Sequence, residues 1–222
     1  TQGTPFVLEK FIGYADDKFC PTEEALRTSE AAAKTGAEKG FSALLSEQCA
    51  YLREFWDSAD VVIEGNDELN QAMKLNLFQL LQSVGRDGRT NIAAKGLSGE
   101  GYEGHYFWDT ETYILPFFLY TNPEISRKLL EYRYSILPKA RERARQMAHP
   151  TGALYAWRTI DGEECSAYFP AGTAQYHINA DIAFAVKRYF EATGDWDFME
   201  RCGAEILAET ARLWADLGCY PA

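Results

Sequence analysis

Metal-ligating side chains are scarce in this sequence of 222 residues. It has three histidines, His105, His149 and His177, and no two of them lie three or four positions apart. The five cysteines are odd in number, far apart and never in CxxC spacing. The sequence therefore predicts neither a disulfide framework nor a zinc or other metal site, and it favours a cytoplasmic location.

Long apolar runs and an excess of basic residues are also missing. No run of about 18 apolar residues is present, so a membrane-spanning helix is not expected. Lys and Arg number 22 against 33 Asp and Glu, which gives a net charge of −11. Such a balance argues against nucleic acid or an anionic membrane as a partner. A neutral substrate fits this composition better.

The two ends of the sequence lack the marks of a complete chain. Thr1 is not an initiator Met, and the residues after it do not have the basic-then-apolar pattern of a signal peptide. The last residues, Gly218 to Ala222, likewise lack the marks of a natural chain end. We expect the sequence to belong to a longer protein.

Helical patterns dominate the first part of the chain. Thr22 to Trp56 is rich in Ala, Glu, Lys and Leu, with Gly36 and Gly40 as the only breakers, which predicts two consecutive helices. Asn66 is a helix cap, and the apolar period after it continues to Gly85. Before these helices, the β-forming residues in Phe6 to Phe19 predict one strand and an irregular connection.

The second part of the chain continues the helical pattern between long loops. The bulky segment His105 to Leu119 predicts an element buried on most sides. Further helices are expected from Asn122 towards Met147 with a bend at Pro138, from Thr173 to Phe190, and from Asp195 to Gly218. Because no βαβ unit is found, the predicted fold class is all-α.

A glycine-rich segment, Gly99 to Gly104, matches the GxGxxG pattern of dinucleotide-binding proteins. That motif requires a preceding strand and a following helix N-terminus, and neither is predicted here. Glu100 and Glu103 would also place carboxylates against a phosphate. We interpret the segment as a flexible, acidic loop, with nucleotide binding as the weaker alternative.

Flat rings and hydrogen-bonding groups follow this loop directly, in His105, Trp108, Asp109 and Glu111. A pyranose has apolar faces that stack on aromatic rings and hydroxyls that need polar partners, so this mixture suits a sugar. The alternative is that the rings are core and Asp109 is a helix N-terminal acid.

A second loop, from His149 to about Ala171, repeats the mixture and favours the sugar interpretation. It carries Trp157, Arg158, Glu163 and Glu164, and we expect the two loops to form one rim. By residue type alone Glu111, Glu163 and Glu164 are each possible general acids. The predicted substrate-binding residues are Trp108, Asp109, His105, Trp157, Arg158 and Glu163.

Four segments of the sequence resemble glycoside hydrolase family 65. They are Asn91-Ile-Ala-Ala-Lys-Gly-Leu, the stretch Gly99 to Glu111 (GEGYEGHYFWDTE), Trp157 to Glu164 (WRTIDGEE) and Tyr168 to Thr173 (YFPAGT). The resemblance implies the N-terminal half of an (α/α)6 barrel preceded by a helical linker. Residues 1–20 would then be the exit from an N-terminal β-sandwich, residues 21–60 the linker, and residues 61–222 the first, incomplete part of the barrel.

The same resemblance implies functional roles. Trp108 and Asp109 match the family's pair that holds the transferred glucose, and Trp157 with Arg158 falls where members line the acceptor subsite. The family's general acid lies in a Gly-Pro-Asp-Glu-Tyr stretch, which this sequence lacks together with the family's Lys-Gln phosphate pair. The resemblance thus implies no catalytic residue in this chain and no activity of the chain alone.

The function implied is that of an inverting disaccharide phosphorylase. Such an enzyme uses no cofactor and takes inorganic phosphate as co-substrate, giving β-glucose 1-phosphate from an α-glucosidic disaccharide. The expected partners are the disaccharide, phosphate and the remainder of the same polypeptide. A hydrolase of the same fold and a non-catalytic helical sugar-binding module stay open, as do the disaccharide linkage and the oligomeric state, including a homodimer.

Overall fold

The computed structural model describes residue 3, residues 5–166, residue 172 and residues 174–218. It divides into two compact units, Thr1–Ser58 and Ala59–Ala222. The described residues contain no β-strand, so the predicted all-α class is confirmed for them. None of their helices combines the length and hydrophobicity needed to cross a bilayer. Closure into an (α/α)6 barrel stays a prediction.

The first unit consists of two helices after an irregular segment. Helix α1 spans Thr22–Lys39 and helix α2 spans Phe41–Ala59, with Gly40 between them at a φ of 77°. The two-helix prediction is confirmed, although α1 continues through Gly36. The predicted strand in Phe6 to Phe19 is wrong, because residues 5–16 are irregular and no described strand offers them hydrogen bonds. The sandwich-exit and linker roles stay predictions.

The second unit begins with helix α3, Asp67–Ser83. The Asn66 side chain accepts a hydrogen bond from the Leu69 N–H at 3.0 Å, which confirms the predicted cap. Helix α4, Leu115–Thr121, follows a π-helical turn at Thr110–Ile114. The predicted burial on most sides is confirmed for His105 to Leu119, since Asp109, Thr112 and Tyr113 are its only exposed residues.

Helices α5 (Pro123–Ser135) and α6 (Leu137–Gln146) replace the single bent helix that was predicted. The break falls at Ile136, because Pro138 lacks an N–H and fits the first turn of α6 rather than the middle of a longer helix. Helix α7 spans His177–Thr193 and ends at Gly194, which has a φ of 64°. The predicted start at Thr173 lies outside the described residues.

The last segment contains a short helix α8, Trp196–Phe198, a π-helical turn at Met199–Gly203 and helix α9, Ala204–Leu217. Asp195 caps this segment by accepting from the Phe198 N–H at 2.9 Å, as predicted. Helices α4, α5, α7 and α9 pack together around a core of aliphatic and aromatic side chains. Its fully buried members include Phe118, Leu129, Leu130, Ile178, Ile182, Val186, Phe198, Ile206 and Leu213.

Candidate functional site

The two ring-bearing loops meet through one antiparallel bridge. The Tyr106 N–H donates to the Thr159 carbonyl at 2.7 Å, and the Thr159 N–H donates to the Tyr106 carbonyl at 3.1 Å. The Tyr132 hydroxyl on α5 donates to the Ile160 carbonyl at 3.0 Å. The loops therefore lie side by side on the helical core, as the expected common rim requires.

The glycine-rich loop turns through three successive left-handed residues, Tyr102, Glu103 and Gly104, with φ values of 63°, 52° and 76°. A left-handed conformation costs a non-glycine residue about 1–2 kcal/mol. The Tyr102 carbonyl accepts from the His105 backbone N–H at 2.9 Å and from its ring Nδ1 at 2.8 Å. His105, predicted as a sugar ligand, thus uses its ring to hold this strained turn.

Arg158 holds the same turn from the second loop. Its side chain is 9% exposed, and Nη2 donates to the Glu103 carboxylate at 2.9 Å and to the Tyr102 carbonyl at 3.4 Å. A strained backbone conformation persists only where surrounding contacts stabilise it, and the hydrogen bonds from Arg158 do so here. The guanidinium predicted to line an acceptor subsite is therefore committed to the loop in this structure.

Close contacts and backbone conformation explain why the GxGxxG positions are occupied by glycine. A Cβ at Gly99 would lie 2.5 Å from Lys95 Cβ, and a Cβ at Gly101 would lie 3.3 Å from Lys95 Cε. Gly104 has a positive φ. Gly99 therefore needs glycine for close approach and Gly104 for a left-handed backbone, while the flexibility of the loop stays a prediction.

A buried ion pair anchors the turn that presents Trp108 and Asp109. Arg133 Nε and Nη2 donate to the two carboxylate oxygens of Glu111 at 2.8 and 2.7 Å, and Nη2 also donates to the Phe107 carbonyl at 3.1 Å. Both side chains are 0% exposed. Burial opposes the charge of Arg133, but the Glu111 carboxylate outweighs it and raises the net pKa of the guanidinium.

This pairing changes the interpretation of Glu111. Both of its carboxylate oxygens are engaged by Arg133, and no water-accessible surface remains on the side chain. A general acid must reach the atom that it protonates, and Glu111 does not line the cavity that Trp108 and Asp109 line. Glu111 therefore stabilises the turn that carries Trp108 and Asp109 rather than acting as a general acid.

A cavity of about 560 Å³ lies between the two loops. Such a volume falls within the usual range for small-molecule sites. Among the predicted residues Trp108, Asp109 and Trp157 line it, whereas His105, Arg158 and Glu163 do not. The full lining is Ile92, Ala93, Ala94, Lys95, Tyr102, Phe107, Trp108, Asp109, Thr110, Ile114 and Trp157.

The rings of the cavity form two groups. Tyr102 and Trp157 both pack edge-on against Phe107, with centroid distances of 5.3 and 5.6 Å. Trp108 instead packs against His177 at 4.9 Å and against Tyr113 at 6.1 Å. The cavity thus has a Tyr102–Trp157 wall and a Trp108 wall.

His177 is a contributor to the Trp108 wall that the predicted site left out. Its Nδ1 lies 2.7 Å from an Asp181 carboxylate oxygen one turn along α7. The pairing of residues four positions apart on a helix was a visible signal, but contact with Trp108 depends on the tertiary fold.

The cavity contains two charged groups of opposite sign, Lys95 and Asp109. Within the part of the chain that the structure describes, neither has a hydrogen bond or ion pair to another side chain. An ammonium donor and a carboxylate acceptor, both available beside aromatic rings, suit a neutral ligand with many hydroxyls.

Glu163 and Glu164 both line a second, polar cavity, but their carboxylates have different partners. Glu163 accepts from Lys139 Nζ at 2.7 Å, is largely exposed, and faces this cavity of about 240 Å³. Glu164 accepts from the Trp157 N–H at 2.7 Å and from the Ser166 hydroxyl at 2.6 Å. Glu164 rather than Glu163 therefore supports the cavity, by holding the backbone of Trp157.

The segment Tyr168 to Thr173, one of the four that carry the family resemblance, lies outside the described residues except for Gly172. The other three segments are described in full. Together they supply every residue that lines the cavity except Ile114, which follows the second of them on the π-helical turn.

Comparisons with known proteins agree with this picture. The chain is 57% identical over 219 residues to an alpha,alpha-trehalose phosphorylase of Thermoanaerobacter brockii, covering 99% of this chain and 28% of that protein. It is 63% identical over 180 residues to the corresponding enzyme of Geobacillus stearothermophilus, covering 81% and 24%. A kojibiose phosphorylase of Halothermothrix orenii is 41% identical over 214 residues, covering 90% and 27%. The chain therefore spans about a quarter of these relatives' length.

A solved structure and a family profile place the fold. A human-microbiome protein assigned as a kojibiose phosphorylase superposes with a TM-score of 0.81 at 32% identity, over 88% of this chain and 29% of that one. The profile of the glycosyl hydrolase family 65 central catalytic domain matches residues 74–221. This chain belongs to glycoside hydrolase family 65.

Proposed function

We propose that this chain forms the glucose-holding part of a disaccharide phosphorylase. The observation that carries the proposal is the cavity that Trp108 and Asp109 both line, with Asp109 unpaired among the described residues. The ring offers a face for the apolar side of a pyranose, and the carboxylate accepts hydrogen bonds from its hydroxyls. Two trehalose phosphorylases and a kojibiose phosphorylase among the relatives support the reaction type.

The proposed reaction is an inverting phosphorolysis. An oxygen of inorganic phosphate forms a bond to the anomeric carbon from the face opposite the glycosidic oxygen, while the bond to that oxygen breaks. The leaving oxygen receives a proton, and the products are β-glucose 1-phosphate and a free sugar. Inversion requires acid and nucleophile on opposite faces of the ring. In this scheme Trp108 and Asp109 hold the transferred ring in place between the acid and the nucleophile.

The disaccharide that we propose is α,α-trehalose. The two trehalose phosphorylases are 57% and 63% identical to this chain, whereas three kojibiose phosphorylases are 39–45% identical. The free sugar released would then be glucose. A cytoplasmic location stays a prediction.

The reaction type is tested on the natural polypeptide that contains this sequence. Trehalose is supplied with and without phosphate, glucose and glucose 1-phosphate are measured, and kojibiose serves as the comparison disaccharide. We expect trehalose cleavage that requires phosphate and yields equal amounts of the two products. Equal glucose release without phosphate would establish a hydrolase instead, and trehalose binding without any cleavage would establish a sugar-binding module.

The site is tested with the variants Trp108→Ala and Asp109→Asn. Loss of a hydrogen bond to a charged group costs about 1.5–3 kcal/mol, so we expect kcat/KM for trehalose to fall at least about tenfold. Matched controls are Trp196→Ala and Asp57→Asn, which change exposed residues outside the cavity. If the two site variants retain the activity of their controls, Trp108 and Asp109 do not hold the sugar.

A further inference from the structure

Lys95 is held at the cavity wall by the loop that follows it. Its alkyl stem lies where a side chain at Gly99 or Gly101 would stand, and the ammonium is 5.9 Å from the centre of the Tyr102 ring. Arg158 in turn holds the turn that carries Tyr102. The stem of the Lys95 side chain is thus packed against this loop, while the residue as a whole is exposed.

The Lys95 ammonium belongs to the Tyr102–Trp157 wall. Tyr102, over which it lies, shares Phe107 as a packing partner with Trp157. Trp108 packs on other neighbours, His177 and Tyr113. A disaccharide has two rings to place, so a second wall with its own donor and rings is positioned to take the second ring.

We propose that Lys95 is a specificity-determining residue that donates hydrogen bonds to hydroxyls of the leaving sugar, the ring that is not transferred. This inference rests on the proposed function. An ammonium has three donors and no acceptor, and it complements Asp109, which only accepts. The cavity thus offers an acceptor to the transferred ring and a donor to the leaving ring.

A lysine can also bind phosphate, but the surroundings of Lys95 favour a sugar. Phosphate sites usually combine several cationic or backbone donors. Lys95 is the only Lys or Arg that lines this cavity in the described part of the chain, and Glu100 and Glu103 lie on the same loop. Aromatic rings beside a single cation match a pyranose better than a dianion.

The experiment compares Lys95→Met with Lys95→Arg in the natural polypeptide. Met keeps an unbranched stem between the two glycines and removes the charge, whereas Arg keeps the charge. The control is Lys187→Met, since Lys187 is an exposed residue of α7 that pairs with Glu191. In the synthesis direction, KM is measured for acceptor glucose and for β-glucose 1-phosphate, and in the cleavage direction for phosphate. Calorimetric Kd values for glucose and trehalose are measured as well.

For Lys95→Met we expect an increase of about tenfold in the KM for acceptor glucose, equivalent to about 1.4 kcal/mol. The Kd for trehalose should rise similarly, while the KM values for β-glucose 1-phosphate and phosphate stay within about twofold and Lys95→Arg recovers part of the loss. An increase confined to the phosphate KM would overturn the proposal in favour of an anion site. Unchanged sugar KM and Kd values would overturn it outright.

Failure of the proposed function gives a different result. If the polypeptide does not carry out phosphorolysis, no KM is obtained, but the Kd values still report whether Lys95 contacts a sugar. A loss of trehalose affinity in Lys95→Met alone then supports Lys95 as a sugar ligand, and an unchanged Kd rejects it.

Discussion

Replacing Glu111 with Gln separates a structural role for this residue from a chemical one. The substitution keeps the shape of the side chain and removes its charge. One amide oxygen can still accept from Arg133, but the amide NH2 then faces the second guanidinium donor that the carboxylate had satisfied at 2.7 Å. Arg133 would keep the Phe107 carbonyl as a partner at 3.1 Å. The buried charge would then have no counterion in this pair.

The expected loss of stability is large. Arg133 is completely buried, so water cannot compensate for a missing partner, and its Nη1 has no hydrogen bond within the described residues. Breaking such a pair costs about 3–5 kcal/mol. At about 2–4 °C per kcal/mol for a unit of this size, Tm should fall by roughly 6–20 °C. Thermal unfolding followed by circular dichroism measures this shift.

Two controls make the result interpretable. Glu191→Gln removes an exposed partner of Lys187 and should leave Tm nearly unchanged. The double variant Glu111→Leu with Arg133→Met removes both buried charges and should recover most of the lost stability, since apolar replacements of buried pairs are often neutral. If Glu111→Gln instead keeps the wild-type Tm but abolishes turnover, Glu111 acts in the chemistry and our assignment is wrong.

Two further predictions concern the loop and the response to acid. Arg158→Met removes the bonds to Glu103 and to the Tyr102 carbonyl, so hydrogen exchange at residues 102–105 should accelerate and glucose affinity should fall; unchanged exchange would mean that Arg158 does not hold the turn. Hydrogen bonds from Arg141 and Tyr134 keep the pKa of Glu205 below its ordinary 4.5. The pKa of Glu205 is lower in the folded state than in the unfolded state. Glu205 therefore stabilises the fold above about pH 4.5 and loses this effect as the pH falls further. Tm measured from pH 7 to 3 should decline, less steeply for Glu205→Gln, and parallel curves would contradict this role.

Helices with side-chain caps were the most predictable part of this fold. Asn66 and Asp195 begin helical segments where predicted, because a capping side chain acts on the backbone within a few residues. The split between α5 and α6 was missed, since Pro138 is compatible both with a bend and with a new first turn. The predicted strand near Phe6 failed because a strand needs a distant partner.

The types of residue that form the site could be predicted from the sequence, but the orientation of their side chains could be predicted only in part. Trp108, Asp109 and Trp157 line one cavity, but Arg158 turns to the glycine-rich loop and Glu163 turns to Lys139. In helices and strands the period of the chain tells which face a side chain occupies, whereas an irregular loop has no such period. The chemistry of a loop residue can therefore be inferred from sequence before its partner can.

The GxGxxG segment shows how one pattern can have two physical origins. In a nucleotide-binding loop the glycines allow the backbone to approach a pyrophosphate. Here Gly99 and Gly101 allow the backbone to approach the Lys95 stem, and Gly104 adopts a left-handed conformation in a turn that Arg158 clamps. The wall is thus assembled by packing before any ligand arrives. A preformed wall lowers the entropy cost of ordering side chains on binding, so Lys95 and Tyr102 can contribute affinity that a mobile loop would lose.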